Sequence, residues 1–294
     1  MTRTDARLIA VQHHHAHIVS CMAENRVSGR VIGLAFDGTG YGTDGHIWGG
    51  EALIADEIDF TRAAHLSYVP MPGGDAAVRE PWRMAISYLR DAAGDSFRDM
   101  PLPLPRQASE TEVDVILKMI ERRVNSPLTS SLGRLFDGVA ALAGIRGTAS
   151  FEGQAAMALE MTADEAAVFQ PGAVYPYALP ADGETAIPVR PIILGVLGDA
   201  TAGAGAKEIS TRFHRTLICL FAALCDRLRQ QNDLNRVVLS GGVFQNNILL
   251  TGLARKLVDL AFTVFTHALV PANDGGICLG QAVAAAGRMK SGLE

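Results

Sequence analysis

The sequence predicts an α/β fold, and three stretches predict it. Residues 236–288 read as strand, Gly-Gly turn, helix, strand, turn, helix, a βαβ unit whose two strands run parallel. Residues 31–75 read as three successive strands separated by glycine- and proline-rich turns. Between them, residues 76–165 are mainly helical in periodicity, so the fold has a helical middle section.

A helix over residues 11–25 precedes these stretches. Its first turns carry Val-Gln-His-His-His-Ala-His, so four of the eight histidines fall within five positions. His13 and His17 are four apart, and on a helix both rings project from one face. Two imidazoles on one face can bind the same metal ion. Asp37 and Asp274, in glycine turns far along the chain, would close its shell. An expression tag is the bland alternative, but the run is broken by Ala16 and leads into apolar Ile18, Val19, Cys21 and Met22. A solvated histidine patch is the other. H-x-x-x-H without a glutamate after the first histidine is not the zinc-protease signature. His14 and His15 point elsewhere on the helix and read as polar-face residues or supports for the ligands.

The strand over 31–36 is a continuous apolar run ending in Asp37-Gly38-Thr39-Gly40-Tyr41-Gly42-Thr43-Asp44-Gly45. That stretch reads as a hairpin turn into a second strand over 47–54. Its glycines let a ligand approach the backbone, and exposed amides suit a phosphate or another anion. No helix or G-K-[ST] follows, so it is neither a P-loop nor a dinucleotide fingerprint. A third strand over 60–69 is broken by Pro70-Met71-Pro72-Gly73-Gly74-Asp75. Pro81 suits the first turn of a helix running to 93. Residues 94–108 hold three prolines and no periodicity, and read as a loop. Ser109 and Glu112 make a capping box for a helix to 124. Ser131 caps another, with Leu135, Phe136, Val139 and Leu142 on one face. Phe151-Glu152-Gly153-Gln154 opens a further helix through 161.

Residues 170–205 read as short strands and loops, because Tyr175, Tyr177, Ile187, Val189, Ile192 and Ile193 are separated by Pro and Gly. A long amphipathic helix follows over 206–231. The closing unit has strands over 236–239 and 262–266, and helices over 244–260 and 277–288. Ligands of parallel sheets bind at the C-terminal ends of the strands. Ser240, Gly241, Gly242, Asn246, Asn273 and Asp274 fall there. The Gly241-Gly242 pair would let a nucleotide lie against the backbone at a helix N-terminus.

The 294 residues are 48% apolar and 19% charged, enough for a sizeable core. Net charge is −5 and no basic run is present, which argues against electrostatic nucleic-acid binding. The four cysteines form no C-x-x-C pair and read as buried free thiols in a reducing compartment. No signal-peptide core follows the polar start, and no apolar run reaches the roughly 20 residues of a membrane span. A cytoplasmic location is expected.

Several blocks carry a resemblance: V-Q-H-H-H-A-H, F-D-G-T-G-Y-G-T-D-G-H-I-W-G-G-E, P-M-P-G-G-D-A-A-V-R-E-P-W-R-M-A, S-S-L-G-R-L-F-D-G-V-A-A-L, F-E-G-Q-A-A-M, V-L-S-G-G-V-F-Q-N and P-A-N-D-G-G-I-C-L-G-Q-A. Together, in register over 11–288, they resemble the C-terminal carbamoyl-transfer region of the HypF family of NiFe-hydrogenase maturation. More distantly the chain is similar to TsaD, the tRNA threonylcarbamoyl-adenosine transferase, and to antibiotic O-carbamoyltransferases. The resemblance implies a lobe of the actin-like ATPase (ASKHA, RNase H-like) fold. It implies a carbamoyltransferase that takes carbamoyl-adenylate, made from ATP by a YrdC-like domain. The acceptor would be the C-terminal cysteine of HypE, and AMP would leave.

The resemblance assigns a divalent metal, zinc or iron, to His13, His17, Asp37 and Asp274. It assigns the phosphate-facing loop to Gly38, Thr39, Gly40 and Gly42. Asp137, Glu152, Gly153, Gly242 and Asn246 match positions near the adenosine. For Asp137 and Glu152 helix-end capping is the competing reading. Trp48 and Trp82 read as packing residues.

The expected division is a metal-ligand helix over 1–30 and a carbamoyltransferase lobe over 31–294. The lobe comprises strands over 31–75, a helical middle over 76–165, and strands with the βαβ end over 170–294. The family's acylphosphatase, zinc-finger and YrdC-like domains are not matched, nor is most of its first actin-like lobe. The chain therefore reads as a fragment, a truncated product or a split subunit, unable to activate carbamoyl phosphate alone. The rival reading is a truncated, non-catalytic paralogue that binds nucleotide or a partner.

Overall fold

The computed structural model describes residues 8–102 and 108–292. The first helix is α1 (His13–Glu24), and β1 (Val31–Tyr41), β2 (Ile47–Ala55) and β3 (Phe60–Leu66) follow as an antiparallel meander. Next come β4 (Val69–Pro70), α2 (Asp75–Arg79), α3 (Trp82–Ala93) and a 3-10 turn over Gly94–Asp99. The helical middle holds α4 (Glu110–Arg122), the short strand β5 (Leu128–Thr129), α5 (Leu132–Leu142), α6 (Gln154–Thr162) and α7 (Glu165–Val168). Then follow β6 (Ala186–Ile187), α8 (Arg190–Thr201), α9 (Ala206–Asn232) and β7 (Arg236–Ser240). The chain closes with α10 (Asn247–Asp259), β8 (Thr263–Phe265) and α11 (Ile277–Ser291).

The sheet runs β4-β5-β2-β1-β7-β8, with β3 also on β2 and β6 on β3. β7 pairs parallel with both β1 and β8, as a βαβ unit requires. Alternation along β1 divides the core. Ile32, Leu34 and Phe36 face the large cluster built by α3, α5, α8 and α9. Val31 and Ala35 face the opposite side, where Ile18, Cys21 and Met22 of α1 cover the sheet. Gly33 lies under that helix, and a Cβ there would meet Ile18 Cγ1 at 2.6 Å. α11 lies against α1 so closely that a Cβ on Gly280 would sit 1.8 Å from the Ala16 carbonyl oxygen. Ser20 Oγ ties the two helices by donating to the Gly276 carbonyl at 2.8 Å.

Five sequence expectations are corrected. The stretch 37–45 is not a single turn: β1 continues to Tyr41, its pairing with β2 shifting between Phe36 and Gly40. The third strand ends at Leu66, and Val69–Pro70 pairs separately with β5. Residues 94–99 form a 3-10 turn rather than loop, while 103–107 of that expected loop lie outside the described residues. Residues 190–201 form α8, because Pro191 sits in its first turn and Ile192, Ile193, Val196, Leu197 and Ala200 make one buried helical stripe. A 3-10 turn over Gly242–Gln245 precedes α10, so that helix starts at Asn247, not at 244.

The capping box of α4 forms in full, with Glu112 accepting from the Ser109 amide and Ser109 from the Glu112 amide. All four cysteines are free, but only Cys21 and Cys225 are buried, and Cys278 is exposed. Trp48 and Trp82 are buried packing residues. Among the described residues no helix is long and apolar enough to cross a membrane.

Candidate metal centre and adjoining cleft

Gln12 fixes the start of α1. Its side-chain oxygen accepts from the His15 amide at 2.9 Å, and its Nε2 donates to the Tyr41 carbonyl at 3.1 Å. This cap satisfies an otherwise orphaned amide and aims the first two turns at β1. There, Asp37 sits where the regular β1–β2 pairing is interrupted. Its Oδ2 lies 3.0 Å from His13 Nε2 and 3.2 Å from His17 Nε2. Asp274, in the 3-10 turn Asp274–Gly276 before α11, places Oδ1 at 3.4 Å and 3.3 Å from the same two nitrogens.

All four donor atoms lie within 4.8 Å of one another. Tetrahedral bonds of about 2.0–2.1 Å to a metal ion give donor–donor edges of roughly 3.3 Å. The four histidine–aspartate separations cluster at that edge, so the spacing fits one shared ion. Two imidazoles and two carboxylates suit a first-row transition ion better than magnesium.

The electrostatics reflect the same closeness. Burial alone would lower the His17 imidazole, but hydrogen bonds with Asp274 and Asp37 outweigh it and raise the pKa to about 9. Burial would raise the Asp37 carboxyl, but hydrogen bonds with His13 and His17 hold it well below the usual carboxylate range. His14 and His15 are buried rather than on a polar face. His14 lies edge-on to His13 with ring centroids 5.1 Å apart, and burial lowers its pKa. His15 is bonded through Nε2 to the Asp56 carbonyl at 2.7 Å.

Beneath Asp37 lies support from β2 and from the start of α5. Ser131 Oγ donates to the Asp37 carbonyl at 2.8 Å and accepts from the Arg134 amide at 3.1 Å, joining β1 to the start of α5. A Cβ on Gly49 would lie 2.5 Å from that same carbonyl oxygen, so β2 needs glycine there. Buried Glu51 holds the strand: it accepts from the Gly49 amide at 3.1 Å, Ser130 Oγ at 2.5 Å and Arg62 Nε at 2.6 Å.

A cleft of about 540 Å³ opens directly beside the cluster, and Asp37 and Asp274 line both. Gly38, Glu152, Gly153, Gly242 and Asn246 line it too. Asp137 lies behind the wall, 2% exposed, and burial pushes its carboxyl up to about 6. Neither Asp137 nor Glu152 caps a helix: Asp137 is within α5, and the Gly153 cap of α6 receives no side-chain bond. Thr39 is exposed. Gly40 and Gly42 are not part of the wall; Gly40 admits His13 and His14, and Gly42 admits the Trp48 indole.

Asn246 is committed internally. Its Oδ1 caps α10 by accepting from the Leu249 amide at 2.8 Å, and its Nδ2 donates to His214 Nε2 at 3.0 Å. His214 Nδ1 in turn donates to the Ser210 carbonyl at 2.9 Å, which assigns the neutral tautomer. Glu160 accepts from the Asn247 and Ile248 amides at 2.7 and 3.3 Å. The first amides of α10 are therefore already bonded to protein groups, while Gly242 and Val243 line the cleft ahead of it.

His214 gives a pH prediction. Burial pushes its pKa down to about 4, whereas in the unfolded chain it takes a proton near the ordinary value of 6.5. Between those values the unfolded state binds the extra proton, so stability falls as pH drops from about 6.5 towards 4. His214→Gln is expected to remove roughly 2 kcal/mol of the loss between about pH 7 and 4.5. Urea unfolding at the two pH values checks this; parallel wild-type and variant losses would contradict it.

The Kae1-like carbamoyltransferase domain, second subdomain, matches residues 33–281, and the HypF Kae1-like domain matches residues 1–24. Carbamoyltransferase HypF2 of Cupriavidus necator is 38% identical over 296 residues, covering 93% of this chain and 36% of that protein. A carbamoyltransferase HypF homologue of the same organism is 38% identical, covering 95% of this chain and 71% of that protein. The chain thus spans about a third of HypF2, and more of the shorter relative. Full-length HypF, solved in a phosphate- and nucleotide-bound form, superposes with a TM-score of 0.91 at 41% identity, covering 99% of this chain and 45% of that one. HypF of T. kodakarensis superposes at 0.83 with 33% identity, covering 98% and 38% respectively. The fold is accordingly the Kae1-like form of the actin-like ATPase fold. With the matched domains, the identities and the superposition in agreement, this chain belongs to the HypF carbamoyltransferase family, in its Kae1-like domain.

Proposed function

We propose that this chain is a carbamoyl-transfer domain: it takes the carbamoyl group of carbamoyl-adenylate and passes it to the C-terminal cysteine of HypE. The observation that carries this reading is the shared wall. Asp37 and Asp274 belong at once to a four-donor cluster and to a cleft large enough for a nucleotide. His13, His17, Asp37 and Asp274 would hold a zinc or iron ion, which when bound offsets phosphate charge and polarises the carbamoyl group as a Lewis acid.

The remaining residues bind and orient. Gly38 leaves the floor open, since a Cβ there would approach Glu152 Oε1 at 3.2 Å. Glu152, Gly153, Gly242 and Asn246 line the cleft and would surround the adenosine. Asn246 acts by shape, because its polar atoms are already bonded to Leu249 and His214. Exposed Thr39, next to Gly38, would face the phosphate. In the transfer, the cysteine thiolate attacks the carbamoyl carbon, a C–S bond forms, the C–O bond to the phosphate breaks, and AMP leaves with the electron pair. A YrdC-like domain would supply the carbamoyl-adenylate.

Calorimetric titration with AMP tests the binding half. Zinc-loaded protein is expected to bind AMP at least about tenfold more tightly than chelator-treated protein. Equal affinities would separate the cleft from the cluster and remove the basis of the reading.

A further inference from the structure

Arg134 is the third residue of α5 and one of the largest fully buried side chains, at 2% exposure. A guanidinium carries five N–H donors and stays charged. Here it satisfies almost none of them. Nη2 lies 3.1 Å from Asp137 Oδ2, without hydrogen-bond alignment, and Nε and Nη1 have no partner. Leaving a buried cation so poorly bonded is costly, and buried donors in native proteins ordinarily find partners.

The surroundings indicate the kind of partner. Arg134 lines the cleft beside Asp37 and Gly38. A Cβ on Gly38 would stand 3.4 Å from Nη2, so glycine there leaves the guanidinium facing the cavity. Four carboxylates also line the cleft: Asp37, Glu152, Glu160 and Asp274. Asp37 and Asp274 belong to the donor cluster, and Glu160 is spent on the start of α10. Arg134 is the one cationic side chain among the described lining residues. An anionic ligand entering so acidic a cleft has a single protein cation to meet.

We propose that Arg134 receives a phosphate-type oxyanion in this cleft, through Nη2, with Asp137 as a positioning residue behind it. A charge-assisted N–H···O bond to phosphate is a pairing that suits a guanidinium. The assignment of that anion to a nucleotide rests on the function proposed above; free phosphate is the other source of the same chemistry.

The test is an NMR titration of the zinc-loaded chain, following the Arg134 Nε–H signal assigned through its own residue, with adenosine, AMP and inorganic phosphate as probes. AMP and phosphate are expected to shift the signal and adenosine to leave it in place. Calorimetry adds Arg134→Lys and Arg134→Gln, both expected to keep adenosine affinity and to lose about tenfold or more of the preference for AMP over adenosine. Phosphate moving the signal while neither nucleoside nor nucleotide binds would uphold the anion site and sink the nucleotide reading. AMP binding with an unmoved signal and an unchanged preference in the variants would overturn the proposal, as would silence towards all three probes.

Discussion

Replacing His17 with alanine is expected to abolish tight zinc binding while leaving the fold in place. His17 Nε2 meets both carboxylates of the cluster, at 3.2 Å and 3.3 Å, so the variant loses one of four donors. Loss of a supporting residue behind a metal ligand already costs about 10–100-fold in affinity, and loss of the ligand itself should exceed about 100-fold. The fold should persist because α1 is anchored by Ile18, Cys21 and Met22 against the sheet and by Ser20 against α11. His13→Ala should act in the same direction. Zinc content after dialysis, with circular dichroism as the check on folding, decides the matter. Retained zinc in both variants would remove the metal centre from the account.

The largest stability effect is expected at Gly280. Its missing Cβ is what allows α11 to cross α1, since any side chain would intrude on the Ala16 carbonyl oxygen at 1.8 Å. That atom is backbone and cannot swing away. Overpacking typically costs about 1–3 kcal/mol, and Gly280→Val should lie at or above the upper end. Because α11 begins just after Asp274, the same change should weaken zinc binding by shifting the fourth donor. Gly198→Ala makes the control: Gly198 is exposed in α8 with nothing within 4 Å of a new Cβ. It should be neutral or stabilising by up to about 1 kcal/mol. Chemical denaturation of both variants checks the contrast, and similar midpoints for the two would contradict the packing argument.

How far the sequence reached depended on the range of the signal. The histidine pair was legible because spacing of four on a helix is a local property. Its two carboxylate partners lie on β1 and before α11; apart from glycine turns around them, only the family resemblance linked them to the histidines. The closing βαβ unit and the capped starts of α4 and α5 were legible for the same local reason. Glycines misled in β1. They suggested a turn, but Gly40 is small to admit His13 and His14 while its strand keeps pairing with Trp48. The prolines and glycines of 170–205 hid α8, within which Gly195 makes room for the Tyr175 ring, 2.5 Å from where its Cβ would be. Arg134 and Glu160, though inside quoted or helical stretches, gave no sign of lining the cleft. Nor did the His214–Asn246 bond, which spans two helices. Such pairings exist only once the sheet has brought distant segments together.

The most direct measurement supplies preformed carbamoyl-adenylate to the zinc-loaded chain, with the C-terminal peptide of HypE as acceptor, and reads the peptide by intact mass. The account predicts one carbamoyl group on the peptide cysteine, dependent on this chain and lost in the His17→Ala variant. A folded, metal-loaded chain that leaves the peptide unmodified would contradict the claim that this cleft and its four donors suffice for transfer.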